Sequence, residues 1–160
     1  MKNYSNIFKP TKKNLIKAAK ILKNSGIVAL PTETVYGLAA NAYSVNAIHK
    51  VYQLKKRPKK NPLIVHFDTL TSIKKETELN LYLQKLFNKF SPGPITYVLK
   101  LKKSSRISKK LSNPSGTVAC RVPANSYFRK IIKLTKAPLA APSANISNHV
   151  SPTSAKDVYD

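Results

Sequence analysis

A chain of 160 residues with 29 Lys+Arg against 6 Asp+Glu carries a formal charge of +23. The length suits one domain spanning residues 1–160, long enough to bury most of a core, and the charge points to phosphates, nucleotides or nucleic acid under salt control. Cys120 is the single cysteine, which excludes an intramolecular disulfide and a multi-cysteine metal site. His49, His66 and His149 lack metal-ligand spacing, so no metal centre is expected. No apolar run is long enough to span a membrane, and the Lys-rich, polar start is no signal peptide. The expected compartment is the cytoplasm. Lysine is abundant throughout, alongside Asn and Ile, so the scarce Arg57, Arg106, Arg121 and Arg129 carry more information about anion recognition.

Taken in order, the chain alternates helix and strand. Thr11 can cap a helix whose apolar face is Leu15, Ala18, Ala19 and Leu22, with Gly26 ending it. Residues 27–30 read as a buried strand that stops at Pro31. After it, Thr32, Glu33, Thr34 and Tyr36 set three hydroxyls and a carboxylate at the strand mouth, and Gly37 permits close backbone approach. Ser44 or Asn46 can cap a second helix carrying Ile48, Val51, Tyr52 and Leu54. It runs into Lys55-Lys56-Arg57-Pro58, read as an exposed helix end, because Pro58 turns Arg57 away from helix.

Residues 63–67 read as another buried strand. Leu79, Leu83, Leu86 and Phe90 mark a helix closed by Ser91-Pro92-Gly93-Pro94. Residues 95–101 are strand-like, and the Lys/Ser/Asn-rich 102–115 reads as a mobile basic connection. A strand at 117–122, a helix at 127–134, a short strand at 139–141 and the start of a last helix follow. Pro142-Ser143-Ala144-Asn145 and Arg121-Val122-Pro123 again put polar groups directly after buried strands. Loops at strand ends of open α/β sheets can line one cleft, and these loops with Lys55 and Arg57 are the candidates.

Five ordered motifs resemble the YrdC/TsaC family: Pro31-Thr32-Glu33-Thr34-Val35-Tyr36-Gly37-Leu38; Lys55-x-Arg57-Pro58 with Asn61-Pro62-Leu63; Ser91-Pro92-Gly93-Pro94-Ile95-Thr96; Arg121-Val122-Pro123; and Ala141-Pro142-Ser143-Ala144-Asn145. The likeness covers residues 26–153. It implies a twisted mixed α/β sheet flanked by helices around a large basic cavity. The implied activity is threonylcarbamoyl-AMP synthesis from L-threonine, bicarbonate and ATP, with pyrophosphate released. Other proteins then transfer the threonylcarbamoyl group to ANN-decoding tRNAs. The resemblance assigns the catalytic tetrad to Lys55, Arg57, Ser143 and Asn145. Threonine recognition falls on Thr32, Thr34, His66, Arg121 and Ser143, and nucleotide binding on Arg57, Asn61, Thr117, Asn145 and Ser151. It implies Mg²⁺ arriving with ATP rather than a carboxylate cage; no G-x-x-x-x-G-K-[ST] loop is present. Family members continue well past Ser151-Pro152-Thr153, so the chain reads as lacking the family's C-terminal portion. Two other classes stay compatible: a non-catalytic double-stranded RNA or tRNA-binding module of the same shape, and a carbamoyl-transfer domain of the hydrogenase-maturation type.

Overall fold

The computed structural model describes residues 4–58, 61–147 and 149–159. Its elements run α1 (Lys12–Lys23), β1 (Ile27–Pro31), β2 (Tyr36–Asn41), α2 (Val45–Lys55), β3 (Val65–His66), α3 (Leu70–Glu76), α4 (Leu81–Phe90) and β4 (Tyr97–Lys100). After a 3₁₀ turn at Lys109–Leu111 come β5 (Thr117–Arg121), α5 (Ser126–Thr135), β6 (Leu139–Ala140) and α6 (Ala155–Tyr159). Among the described residues the strands form one sheet in the order β1-β2-β6-β3-β5-β4. The β3–β5 pair is parallel and the other neighbours are antiparallel.

Helices cover both faces of this mixed α/β sheet, and the alternation of strand side chains divides the core accordingly. Ala40, Val65, Cys120 and Ala140 face a cluster with Ile48, Val51, Phe67, Ile73 and Phe87. Leu30, Ala39 and Leu139 face the other way, against Leu15 and Leu22 of α1 and Phe128, Ile131 and Ile132 of α5. Cys120 is fully buried, and burial pushes its thiol up to about 12, leaving it a small apolar side chain. No described helix is long and apolar enough to cross a membrane.

The caps follow the sequence at α1, where the Thr11 hydroxyl accepts from Asn14 N at 3.3 Å. Ser44, rather than Asn46, caps α2 and accepts from Ala47 N at 3.1 Å. At the end of α1 the left-handed residue is Ser25, with φ 58°. Gly26 serves a different need: a Cβ there would lie 2.8 Å from the Ile21 carbonyl oxygen.

Several expectations are corrected. The polar loop after Pro31 spans four residues only, 32–35. The chain then turns back as β2, which the sequence reading missed because Tyr36-Gly37-Leu38-Ala39-Ala40 has no polar alternation. Helix α3 also went unread. It is short, and a reciprocal capping box between Thr69 and Ser72 fixes its start. Leu54 is 64 % exposed and lies off the apolar face of α2. Leu79 precedes α4, whose cap is Asn80.

The segment 102–115 is not a free connection. Ile107 and Leu111 are buried, and the buried Glu76 carboxylate accepts from Ser105 Oγ at 2.7 Å, Arg106 N at 2.8 Å and Tyr43 OH at 2.6 Å. Burial works against the charged form of Glu76. The three hydrogen bonds and the Arg106 charge outweigh it and hold the carboxyl below its usual range. Composition pointed to mobility; two apolar anchors and one buried acid decide otherwise.

Candidate active site

The site forms where the β1–β2 turn, the end of β3, the end of β5 and the loop after β6 converge. The β1–β2 turn is built by Thr32. Its hydroxyl donates to Val35 O at 2.7 Å and accepts from Thr34 N and Val35 N, both at 3.1 Å. That hydroxyl therefore shapes the turn, while Thr34, exposed at the tip, touches it at 3.0 Å. Gly37 pairs with Ser143 across an isolated bridge. Leu38 N donates to Pro142 O at 2.9 Å, and Ala144 N to Tyr36 O at 2.8 Å. A Cβ on Gly37 would lie 3.2 Å from Ala141 Cβ and 3.4 Å from Pro142 O. The glycine thus lets two loops meet closely.

Lys55 corrects the sequence reading most sharply. It is 2 % exposed, not part of a solvated helix end. Its ammonium donates to Ser143 O at 2.6 Å and to Asn145 O, and its own carbonyl accepts from Ser147 N at 3.2 Å. Burial, then the charge of Arg57, lowers its pKa. Lys56 takes the left-handed conformation that ends α2, with φ 49°, and turns Arg57 outward. Arg57 Nε donates to Asn61 O at 3.0 Å and Nη2 to Pro62 O at 3.5 Å, and the side chain lines the cleft.

In the sheet, His66 and Arg121 are paired across the parallel β3–β5 ladder. His66 is 2 % exposed and lies against Phe128 with ring centroids 5.0 Å apart. Burial, with Arg121 nearby, pushes its pKa down to about 3, so it is neutral near pH 7. Its Nδ1 is buried without a hydrogen-bond partner among the described residues. Arg121 donates from Nε to Thr96 Oγ1 at 3.0 Å, and its Nη1 lies 3.6 Å from Glu33 Oε1.

Thr32, Thr34, Arg57, His66, Arg121 and Ser143 line one cleft of about 270 Å³, with Gly37 and Pro142 in its wall. A larger hollow of about 750 Å³ opens elsewhere, between α1, α5 and β1. Its lining is largely apolar, with Lys9 and Lys17 as the basic members. No large basic cavity of the kind implied by the resemblance is seen among the described residues: the cleft that holds Arg57 and Arg121 is small, and the larger hollow is mostly apolar.

The remaining site candidates lie outside the lining of the cleft. Lys55 sits beneath it. Asn145 Nδ2 donates to Ile146 O at 2.7 Å and His149 O at 2.6 Å, holding its own loop, while its Oδ1 is buried without a partner among the described residues. Asn61 contributes its carbonyl to Arg57 and to Tyr52 OH. Ser151 precedes Pro152, whose carbonyl accepts from Tyr36 N at 2.8 Å. Thr117 opens β5, whose far end is Arg121, so about 13 Å of strand separates them. Sequence reasoning gave no role to Thr96, nor to Glu33 beyond a carboxylate at the strand mouth. Scarcity was the available signal for Glu33, one of 6 acidic residues in a chain of charge +23.

Comparison with known proteins identifies the family and the fold. Residues 20–160 match the Sua5/YciO/YrdC family model, whose description is "Telomere recombination". The chain is 44 % identical over 146 residues to a threonylcarbamoyl-AMP synthase of Pyrococcus abyssi, covering 89 % of this chain and 42 % of that protein. It is 39 % identical over 145 residues to that of Bacillus subtilis, covering 90 % and 42 %. The crystal structure of P. abyssi Sua5 complexed with L-threonine superimposes with a TM-score of 0.88 at 39 % identity, over 92 % of this chain and 43 % of that one. The chain thus spans less than half the length of these relatives. With the motifs, the topology and the family model in agreement over most of its length, the chain belongs to the Sua5/YciO/YrdC family.

Proposed function

We propose that the chain carries the threonylcarbamoyl-AMP synthase activity of its relatives, condensing L-threonine, bicarbonate and ATP into threonylcarbamoyl-AMP and pyrophosphate. The observation that supports this most directly is the cleft itself. In it Arg121, neutral His66, Thr34 and Ser143 meet Arg57 within one 270 Å³ space. A zwitterion and a phosphate require that mixture: a planar fork for the carboxylate, neutral polar groups for a hydroxyl, and a second cation for the nucleotide. Relatives named for this activity match most of the chain.

In this reading Thr32, Thr34, His66, Arg121 and Ser143 bind threonine, with Thr32 acting through the turn it holds. Arg57, Asn61, Thr117, Asn145 and Ser151 form the nucleotide side, and Lys55 fixes the Ser143–Asn145 backbone between the two. The threonine amine adds to bicarbonate with loss of water to give a carbamate. A carbamate oxygen then attacks the α-phosphorus and pyrophosphate leaves. The protein's part is alignment and charge stabilisation. Among the described residues no group of three His, Cys, Asp or Glu could cage a metal. In this reading Mg²⁺ enters as part of the nucleotide substrate, on the ATP phosphates. The product passes to downstream threonylcarbamoyl-transfer proteins acting on tRNA.

ATP–pyrophosphate exchange tests the reading. Exchange that needs both threonine and bicarbonate is the expected result. Exchange indifferent to threonine, or none while ATP still binds, would overturn it. The charge of +23 favours one second reading, polyanion binding by the basic surface, and salt-dependent tRNA binding without exchange would favour it.

A further inference from the structure

Arg121 is held on two sides by residues outside the cleft lining. Thr96 Oγ1 accepts from its Nε at 3.0 Å. Glu33 Oε1 lies 3.6 Å from its Nη1, the two side chains being 15 % and 14 % exposed. Glu33 is itself fixed, since its Oε2 accepts from Ala124 N at 3.0 Å in the turn between β5 and α5. Its Oε1 is buried and has no hydrogen-bond donor among the described residues, so that oxygen meets Arg121 as a counter-charge rather than as a hydrogen-bonded pair. Two supports leave the rest of the guanidinium facing the cleft, beside His66 and Ser143.

We propose that Glu33 is a positioning and specificity-determining residue acting through Arg121: with Thr96 it aims the guanidinium, and its charge tunes the site for a zwitterionic amino acid and against inorganic anions. The proposal rests on the threonine-binding reading above for its substrate. The electrostatic argument is general. A bare anion at Arg121 feels the full repulsion of Glu33 close behind. An amino acid feels the same repulsion at its carboxylate but an attraction at its ammonium, so the two largely cancel. In a chain of charge +23, sulfate, phosphate and bicarbonate are drawn to every exposed cation. A local negative charge at this one arginine restores the distinction that the overall field removes.

The test uses ¹⁵N–¹H spectra of the arginine Nε–H groups, of which the chain has four, with the Arg121 signal assigned by Arg121→Lys. In the wild type the Arg121 signal should exchange slowly with solvent, shift on adding threonine, and respond weakly to sulfate. Glu33→Gln keeps an acceptor for Ala124 N and removes only the charge. It should raise sulfate affinity, read at the same signal, and weaken threonine by on the order of tenfold each, the scale of one charge-assisted hydrogen bond strengthened or misaligned. ATP affinity should be unchanged. Thr96→Val should speed exchange of the Arg121 Nε–H without raising sulfate affinity, which separates aiming from charge. Unchanged sulfate affinity in Glu33→Gln, or tighter threonine binding, overturns the proposal. If threonine fails to shift Arg121 in the wild type, the substrate reading falls, while the sulfate comparison still decides whether Glu33 tunes this arginine.

Discussion

Lys55 shows how one side chain can belong to a site without lining it. Its ammonium satisfies two half-buried carbonyls, so truncating it leaves both without this donor. Each such orphan costs about 1–3 kcal/mol. Lys55→Met, which keeps the apolar stem, is therefore expected to lower the urea midpoint markedly and to loosen the Ser143–Asn145 loop. Arg57→Ala, at a half-buried position whose hydrogen bonds go to the exposed Asn61 and Pro62, should lower the midpoint less and weaken ATP. Equal stability of both variants in urea titrations would show that Lys55 is not structural. His66 makes a second residue-scale prediction. The unfolded chain takes up a proton near pH 6.5 that the folded chain refuses until about pH 3. The His66 contribution is thus fully present above about pH 6.5 and is lost as pH falls below it, at about 1.4 kcal/mol per pH unit. Stability of His66→Asn, though lower throughout, should depend less steeply on pH between 6.5 and 5. Parallel curves would place the pH dependence elsewhere.

At the scale of elements, Glu76 joins α3 to the segment that follows β4. Tyr43, Ser105 and the Arg106 amide all donate to it, and Arg106 covers the Tyr43 ring at 4.5 Å. Glu76→Ala should cost on the order of 3 kcal/mol, because three half-buried donors lose a charged acceptor together. Hydrogen exchange should speed at the Arg106 and Ile107 amides while threonine affinity holds. Protection persisting at those amides would mean that Ile107 and Leu111 alone anchor the segment. The acid lies below its usual range, so its stabilisation is present above the ordinary carboxylate pKa and is lost only below it. That window is separate from the His66 slope. The β1–β2 hairpin is the other decisive element. Its four-residue turn brings Thr32 and Thr34 over the cleft and hands Glu33 across to the β5–α5 turn.

For the whole molecule the dominant property is charge. A surface carrying +23 attracts any polyanion, and the number of phosphates neutralised sets a steep fall of affinity with salt. tRNA and heparin matched for length are expected to bind alike at low salt and to weaken together in a salt titration. A tRNA preference that survives at high salt would instead require a built RNA site. Small-molecule chemistry in the cleft responds less to salt, since Arg121 and Glu33 are largely shielded from solvent.

Sequence alone determined most of the helices and strands, though not β2 or α3, together with the Thr11 cap, the order of the motifs and the loops that would meet. These follow from local periodicity, capping chemistry and motif spacing, which need only near neighbours along the chain. Tertiary structure decided what each motif residue does. Lys55 reaches a carbonyl 88 residues away, and Ala124 N reaches Glu33 across 91. Register between β3 and β5, absent from either strand read alone, sets His66 beside Arg121. Burial then reassigns the roles: a lysine read as part of an exposed helix end becomes a backbone clamp, and a histidine becomes a neutral floor. The Thr32 hydroxyl becomes a turn constraint. Residue type is encoded locally, whereas the dielectric and the partners that fix a side chain's charge and hydrogen bonds come from segments distant in sequence.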